Sequence, residues 1–164
     1  MSALESNTVY MTLNSRGIRG TFHWGLLVTS AAPKGLYYHA TNKAGGWQLE
    51  AKPSSNAMNS MSLVLVYKLG DVSSPDQVDQ VLRSVPADGS PSLRTGEAFT
   101  CRIWLKDAIM ALDKNQLLKL AAHIDDIEKK AFAAATRLEP AIEEGLIKAK
   151  IVSTGSSSSS SSRW

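Results

Sequence analysis

An α+β fold, with a sheet assembled first and helices packed on it afterwards, is what this chain predicts, and three observations carry that expectation. Short β-branched and aromatic runs, separated by Gly, Pro, Asn and Ser, fill the stretch up to Leu69. Beyond Gly70-Asp71 apolar residues recur at helical spacing instead. The two patterns do not alternate, so segregated layers are expected rather than repeated strand-helix-strand units.

The candidate strands are Val9 to Leu13, Phe22 to Thr29, Gly35 to Ala40, Trp47 to Lys52 and Ser62 to Leu69. Ser30 to Lys34 has the length of a hairpin loop, and Lys43-Ala44-Gly45-Gly46 can turn the third strand into the fourth. An antiparallel β-meander packed against helices follows. Ser74-Pro75-Asp76 reads as a helix start with proline at its first position, and Val78, Val81, Leu82 and Val85 continue at helical spacing. After a Pro, Gly and Ser-rich loop from Pro86 to Gly96, Phe99 to Leu112 places Ile103, Trp104, Ala108, Ile109 and Leu112 on one face. Asp113 and Asn115 break that helix and cap another, whose apolar positions run from Leu117 to about Thr136. Pro140 is expected to open the last helix.

With 164 residues, 43% of them hydrophobic, the chain can close one core but not two. A single domain over residues 1–153 is expected, followed by a disordered serine-rich tail, 154–164, that has too little apolar surface to offset the entropy of ordering it. The net charge is +3 and no run of cations appears, which argues against a nucleic-acid partner. One cysteine cannot form an internal disulfide, and Met1 to Leu13 has no signal-peptide pattern, so a cytoplasmic location is expected. The longest apolar stretches, such as Leu63 to Tyr67, fall far short of the roughly 20 residues of a membrane span. No integral membrane segment is expected.

Three residues could do chemistry. Cys101 falls at a predicted helix N-terminus, where unpaired N–H groups and the positive dipole end favour a negative sulfur and could stabilise an oxyanion. A lone cysteine is otherwise most often a small buried hydrophobe. His23 begins one strand and His39 ends the next, so adjacent antiparallel strands can bring them together on one face. Strand histidines of this kind also occur simply as hydrogen-bonded, half-buried rings, and His123, along the long helix, is assigned to that class.

The segments Phe22-His23-Trp24-Gly25-Leu26-Leu27-Val28, Gly35-Leu36-Tyr37-Tyr38-His39-Ala40 and Phe99-Thr100-Cys101-Arg102-Ile103-Trp104-Leu105 together resemble the permuted papain-like superfamily. Its branches include the lecithin retinol acyltransferase-like, NlpC-like and permuted deubiquitinase-like proteins. The resemblance implies a thiol-site core over residues 8–113, with a helical extension over 114–152. It implies His23 as base, His39 as the group that orients it, and Cys101 as nucleophile. The activity implied is a cysteine-dependent hydrolase or acyltransferase acting on an ester, thioester or amide through an acyl-cysteine intermediate, without cofactor. Thr100 to Trp104 departs from the Asn-Cys-Glu-His-Phe-like motif of the acyltransferases, which points away from lipid substrates. The pattern is also similar to small fungal proteins of unassigned function.

Against the enzyme stands a papain-like binding module without turnover. Trp24, Trp47 and Trp104 would line its small-molecule, acyl or peptide site, or simply fill the core. A metal site is not expected, because one cysteine and the histidines lack the short paired spacings of zinc ligands. Asp125, Asp126, Glu128, Lys129 and Lys130 read as a solvated face with pairs such as Asp125 to Lys129. The helical C-terminal third could cover the sheet, form a lid or join two copies in a homodimer.

Overall fold

The computed structural model describes residues 3–153, so the serine-rich tail lies outside the described residues. It is an α+β structure with one six-stranded mixed sheet and three helices. The strands are β1 (Thr8–Ser15), β2 (Phe22–Thr29), β3 (Gly35–Thr41), β4 (Gln48–Ser54), β5 (Leu63–Asp71) and β6 (Lys150–Ser153). The helices are α1 (Pro75–Ser84), α2 (Cys101–Lys114) and α3 (Ile124–Glu143), and a single 3-10 turn spans Ala57–Asn59.

The sheet order is β4-β3-β2-β1-β5-β6. Strands β1 to β4 form the expected antiparallel meander. β5 does not extend it but returns to pair antiparallel with β1, so β1 becomes a central strand whose Val9, Tyr10, Met11 and Leu13 are fully buried. β6 joins β5 in parallel. Four residues, Lys-Ile-Val-Ser, are too short a run to announce a strand in the sequence.

Two-residue alternation divides the sheet into unequal faces. On one face Met11 and Leu13 of β1 and Trp24 and Leu26 of β2 join α1, α2 and α3 in the main core, with Leu82, Trp104, Ile109 and Ile127 among the buried helix residues. On the other, Tyr10, Leu27, Leu63 and Val66 form a smaller cluster covered only by Leu4 and by residues such as Ala57, Met58 and Ile151. All three helices therefore load one side and leave part of the other open.

Local chemistry sets the helix ends. Ser74 caps α1 by accepting from Gln77 N at 3.2 Å, with Pro75 at the first position. Thr100 caps α2 by accepting from Ile103 N at 3.1 Å, which makes Cys101 the first helical residue rather than a residue one turn inside. The longest helix begins later than its periodicity predicts. Asn115 ends α2, Gln116 turns the chain at φ 62°, and Leu118 is buried from an irregular connection before His123 caps α3. His123 is thus a cap, its Nδ1 accepting from Asp125 N at 3.1 Å. Pro140 lies inside α3 rather than opening another helix, in the last turns, where its missing N–H removes a single bond.

The charged stretch of α3 also differs from a purely solvated face. Asp125 Oδ1 and Glu128 Oε1 each meet the buried Lys106 ammonium at 2.8 Å, and Glu128 Oε2 also meets Arg102 at 2.5 Å. Asp125 thus faces α2 instead of pairing with Lys129. Among the described residues no helix is long and apolar enough to cross a membrane.

Candidate functional site

β2 and β3 place the polar residues. Phe22, Trp24, Leu26 and Val28 turn toward the helices, so His23, Gly25 and Leu27 face the open side. Leu27 pairs with Tyr37, and His39 pairs with Glu50 of β4, which puts Tyr37, His39 and Glu50 on that same side. His23 Nε2 lies 2.7 Å from His39 Nδ1, and His39 Nε2 lies 2.5 Å from Glu50 Oε1. The two rings meet edge to face, 4.9 Å between centroids and 86° between planes.

Electrostatics give this chain of bonds a direction. Burial, helped by the positive charge that His39, Arg16 and Lys43 would present, pushes His23 down to about 4. Burial also lowers His39, against the opposing pull of Glu50, and the hydrogen bond from His39 holds Glu50 below the usual carboxylate range. At neutral pH both rings are therefore neutral and Glu50 is ionised. Glu50 accepts the Nε2 proton of His39, His39 Nδ1 accepts the Nε2 proton of His23, and His23 Nδ1 keeps its lone pair. Among the described residues that nitrogen has no hydrogen-bond partner.

The rings open on a cavity of about 400 Å³, lined also by Thr12, Asn14, Tyr37, Lys52 and the serines 54, 60 and 62. Tyr37 crosses over Gly25 and packs against His39 at 4.9 Å, and its burial pushes the phenol up to about 12. The Thr12 hydroxyl stands near that phenol without meeting it in hydrogen-bond geometry, and remains buried and unpartnered. The amide oxygen of Asn14 is unpartnered as well.

Cys101 stands elsewhere. It is 4% exposed and belongs to the core on the helix side, with Phe22 and Trp24. Its sulfur lies 3.8 Å from Arg16 Nη1, which also reaches the carbonyl of Phe22 at 3.5 Å. No hydrogen bond joins the sulfur to His23 or His39, and Cys101 is not among the residues lining the cavity. The structure brings the two histidines together and adds Glu50 and Tyr37, while the thiol lies in the helix-side core, hydrogen-bonded to neither ring but close enough to act electrostatically on Tyr37. Alternation turns His23 and Trp24, neighbours in sequence, to opposite faces, and α2 packs on the face of Trp24.

Arg16 and Glu50 were not legible as site residues in the sequence. For Glu50 the one signal was its position opposite His39 once the third and fourth strands are paired. Arg16 sits on a loop that α3 holds: Glu139, 1% exposed, accepts from Ser15 Oγ at 3.0 Å and from Gly20 N at 2.9 Å, and Glu143 pairs with Arg19 at 2.8 Å. No local pattern links residues so far apart in the chain.

The tryptophans expected at the site do not line the cavity. Trp24 and Trp104 are buried in the main core, because each falls on the apolar face of its element. Trp47 precedes β4 and packs edge to face on Phe99 at 4.9 Å. Among the described residues no group of three His, Cys, Asp or Glu is placed to hold a metal ion.

Fold and site together define an α+β domain carrying a carboxylate-oriented histidine pair on the open face of its sheet. The chain belongs to a family of unknown function, DUF6540, whose family model matches residues 9–119. That span covers β1 through α2 and ends before α3 and β6. No curated protein and no solved structure matches the chain.

Proposed function

We propose that this chain is a binding module for a small polar ligand, on a scaffold that resembles the permuted papain-like proteins. The observation that carries this reading is the relay from Glu50 through His39 to His23, which ends in a neutral Nδ1 with no hydrogen-bond partner among the described residues, on a histidine that lines the cavity. Such a nitrogen accepts a hydrogen bond from a bound molecule, and the two groups behind it fix its tautomer and ring orientation. The test is a screen of small polar fragments read by imidazole nitrogen chemical shifts. Saturable shifts at His23 that vanish in Glu50→Gln support the reading; a screen in which no fragment moves His23 ends it.

A second reading keeps the acyl-cysteine chemistry. It is favoured by Cys101 as the first residue of α2 and by the Arg16 guanidinium 3.8 Å from its sulfur. In it, His23 takes the thiol proton, the thiolate attacks an ester, thioester or amide carbonyl, and water or another acceptor resolves the acyl-cysteine. It requires the thiol to reach the imidazole. Trapping with an electrophilic probe decides: labelling of Cys101 in the native protein that slows in His23→Ala supports the enzyme, and labelling only after denaturation excludes it. In either reading we place the protein in the cytoplasm, in keeping with its free thiol.

A further inference from the structure

We propose that the cavity on the open sheet face takes a hydroxyl-rich small molecule of about monosaccharide size. The inference rests on the reading of that cavity as a binding site, and concerns what fits it.

The argument starts from atoms that lack partners. Thr12 is 1% exposed, on the central strand, and its hydroxyl, beside the Tyr37 phenol, meets no described group in full hydrogen-bond geometry. Asn14, two residues along on the same face, donates through Nδ2 to Ser62 Oγ at 2.9 Å and leaves its buried amide oxygen unpartnered. Buried polar groups in folded proteins are nearly always satisfied, so two orphans beside one cavity mark a place where something else completes the bonding. His23 lines the same cavity, and its Nδ1, accessible rather than buried, makes no hydrogen bond to the described residues.

The chemistry of these atoms narrows the occupant. Asn14 Oδ1 and His23 Nδ1 are both acceptors, so the ligand must bring donors. A cation would bring them, but Lys52 lines the cavity and the carboxylate behind the histidines, Glu50, is already engaged by His39 and, at 3.6 Å, by Lys43. A simple amide brings donors at one atom only. Several hydroxyls bring a donor and an acceptor each, and match Thr12 together with the serine hydroxyls of the rim. The volume of about 400 Å³ accommodates a sugar ring with a few waters, and Ala57 and Leu63 offer an apolar patch for its C–H face.

The experiment uses the full chain with labelled histidines, titrated separately with glucose, galactose, mannose and ribose, and with acetamide, lactate and methylammonium as comparison probes. The expected result is a saturable shift of His23 with at least one sugar, weakened about tenfold or more in Thr12→Val, a change that removes the hydroxyl and keeps the shape. Asn14→Leu provides a second variant should Thr12→Val fold poorly. Shifts with acetamide, lactate or methylammonium and none with sugars would overturn the hydroxyl-rich class while leaving a binding site. Silence from every probe would remove both, and sugar binding indifferent to both substitutions would overturn the assignment to these residues.

Discussion

A β-carbon built on Gly25 would stand 2.5 Å from the hydroxyl oxygen of Tyr37. The phenol thus occupies the space that any other residue at position 25 would fill, and this lets the Tyr37 ring lie flat along the sheet beside His39. Gly25→Ala is expected to push Tyr37 off the sheet at a cost of about 1–3 kcal/mol, as overpacking usually does. Denaturant melts of Gly25→Ala, and of the same change combined with Tyr37→Leu, check it: the double variant should recover most of the loss.

The histidine pair predicts a pH dependence with a definite sign. His23 titrates at about 4 in the folded protein against an ordinary 6.5, so between those values the unfolded chain binds more protons. Stability from this group is complete above about 6.5 and is lost as the pH falls toward 4; His39, lowered too, adds in the same direction. Chemical denaturation from pH 7 to pH 4 should show that decline, flattened in His23→Gln. A His23 midpoint at its ordinary value in an NMR titration would contradict the burial from which the shift arises.

Glu139 links α3 to the loop that carries Arg16. Its carboxylate satisfies Ser15 and Gly20 from a site 1% exposed, so Glu139→Ala strands both donors and should cost about 1–3 kcal/mol per lost partner. Because that loop places the Arg16 guanidinium 3.8 Å from the Cys101 sulfur, the same variant is expected to raise the native-state alkylation rate of Cys101. Unchanged thiol reactivity alongside a normal loss of stability would show that the loop does not govern access.

Lys106, 6% exposed, is held by Asp125 and Glu128 across the α2–α3 contact. Lys106→Met should cost only about 1–2 kcal/mol, since Glu128 keeps Arg102 and Asp125 is half exposed. Lys106→Ala should cost more, because it adds a void to the lost pair. Thermal melts of the two variants check the order.

Much of the sheet was legible because its signals are local. Alternation and Gly or Pro punctuation located β1 to β5 within a few residues, and Ser74-Pro75 marked the start of α1 for a reason that involves only neighbouring atoms. The start of α3 was not legible: Leu117, Leu118 and Leu120 carry helical spacing, yet they pack from an irregular connection because Gln116 turns the chain first. The pairing of β5 with β1, and β6 beside β5, are choices among strand neighbours that no single strand encodes.

The candidate site divides along the same line. That His23 and His39 would share a face follows from two strands, a short loop and a period of two, all of which are present in the residues themselves. Which face α2 would cover depends on where the larger apolar surface of the whole sheet lies, and that is a sum over β1, β2, β3 and β5. The tertiary structure therefore decided that Cys101 joins the helix-side core, and that Glu50 and Arg16, from other segments, complete the surroundings of the imidazoles and the thiol.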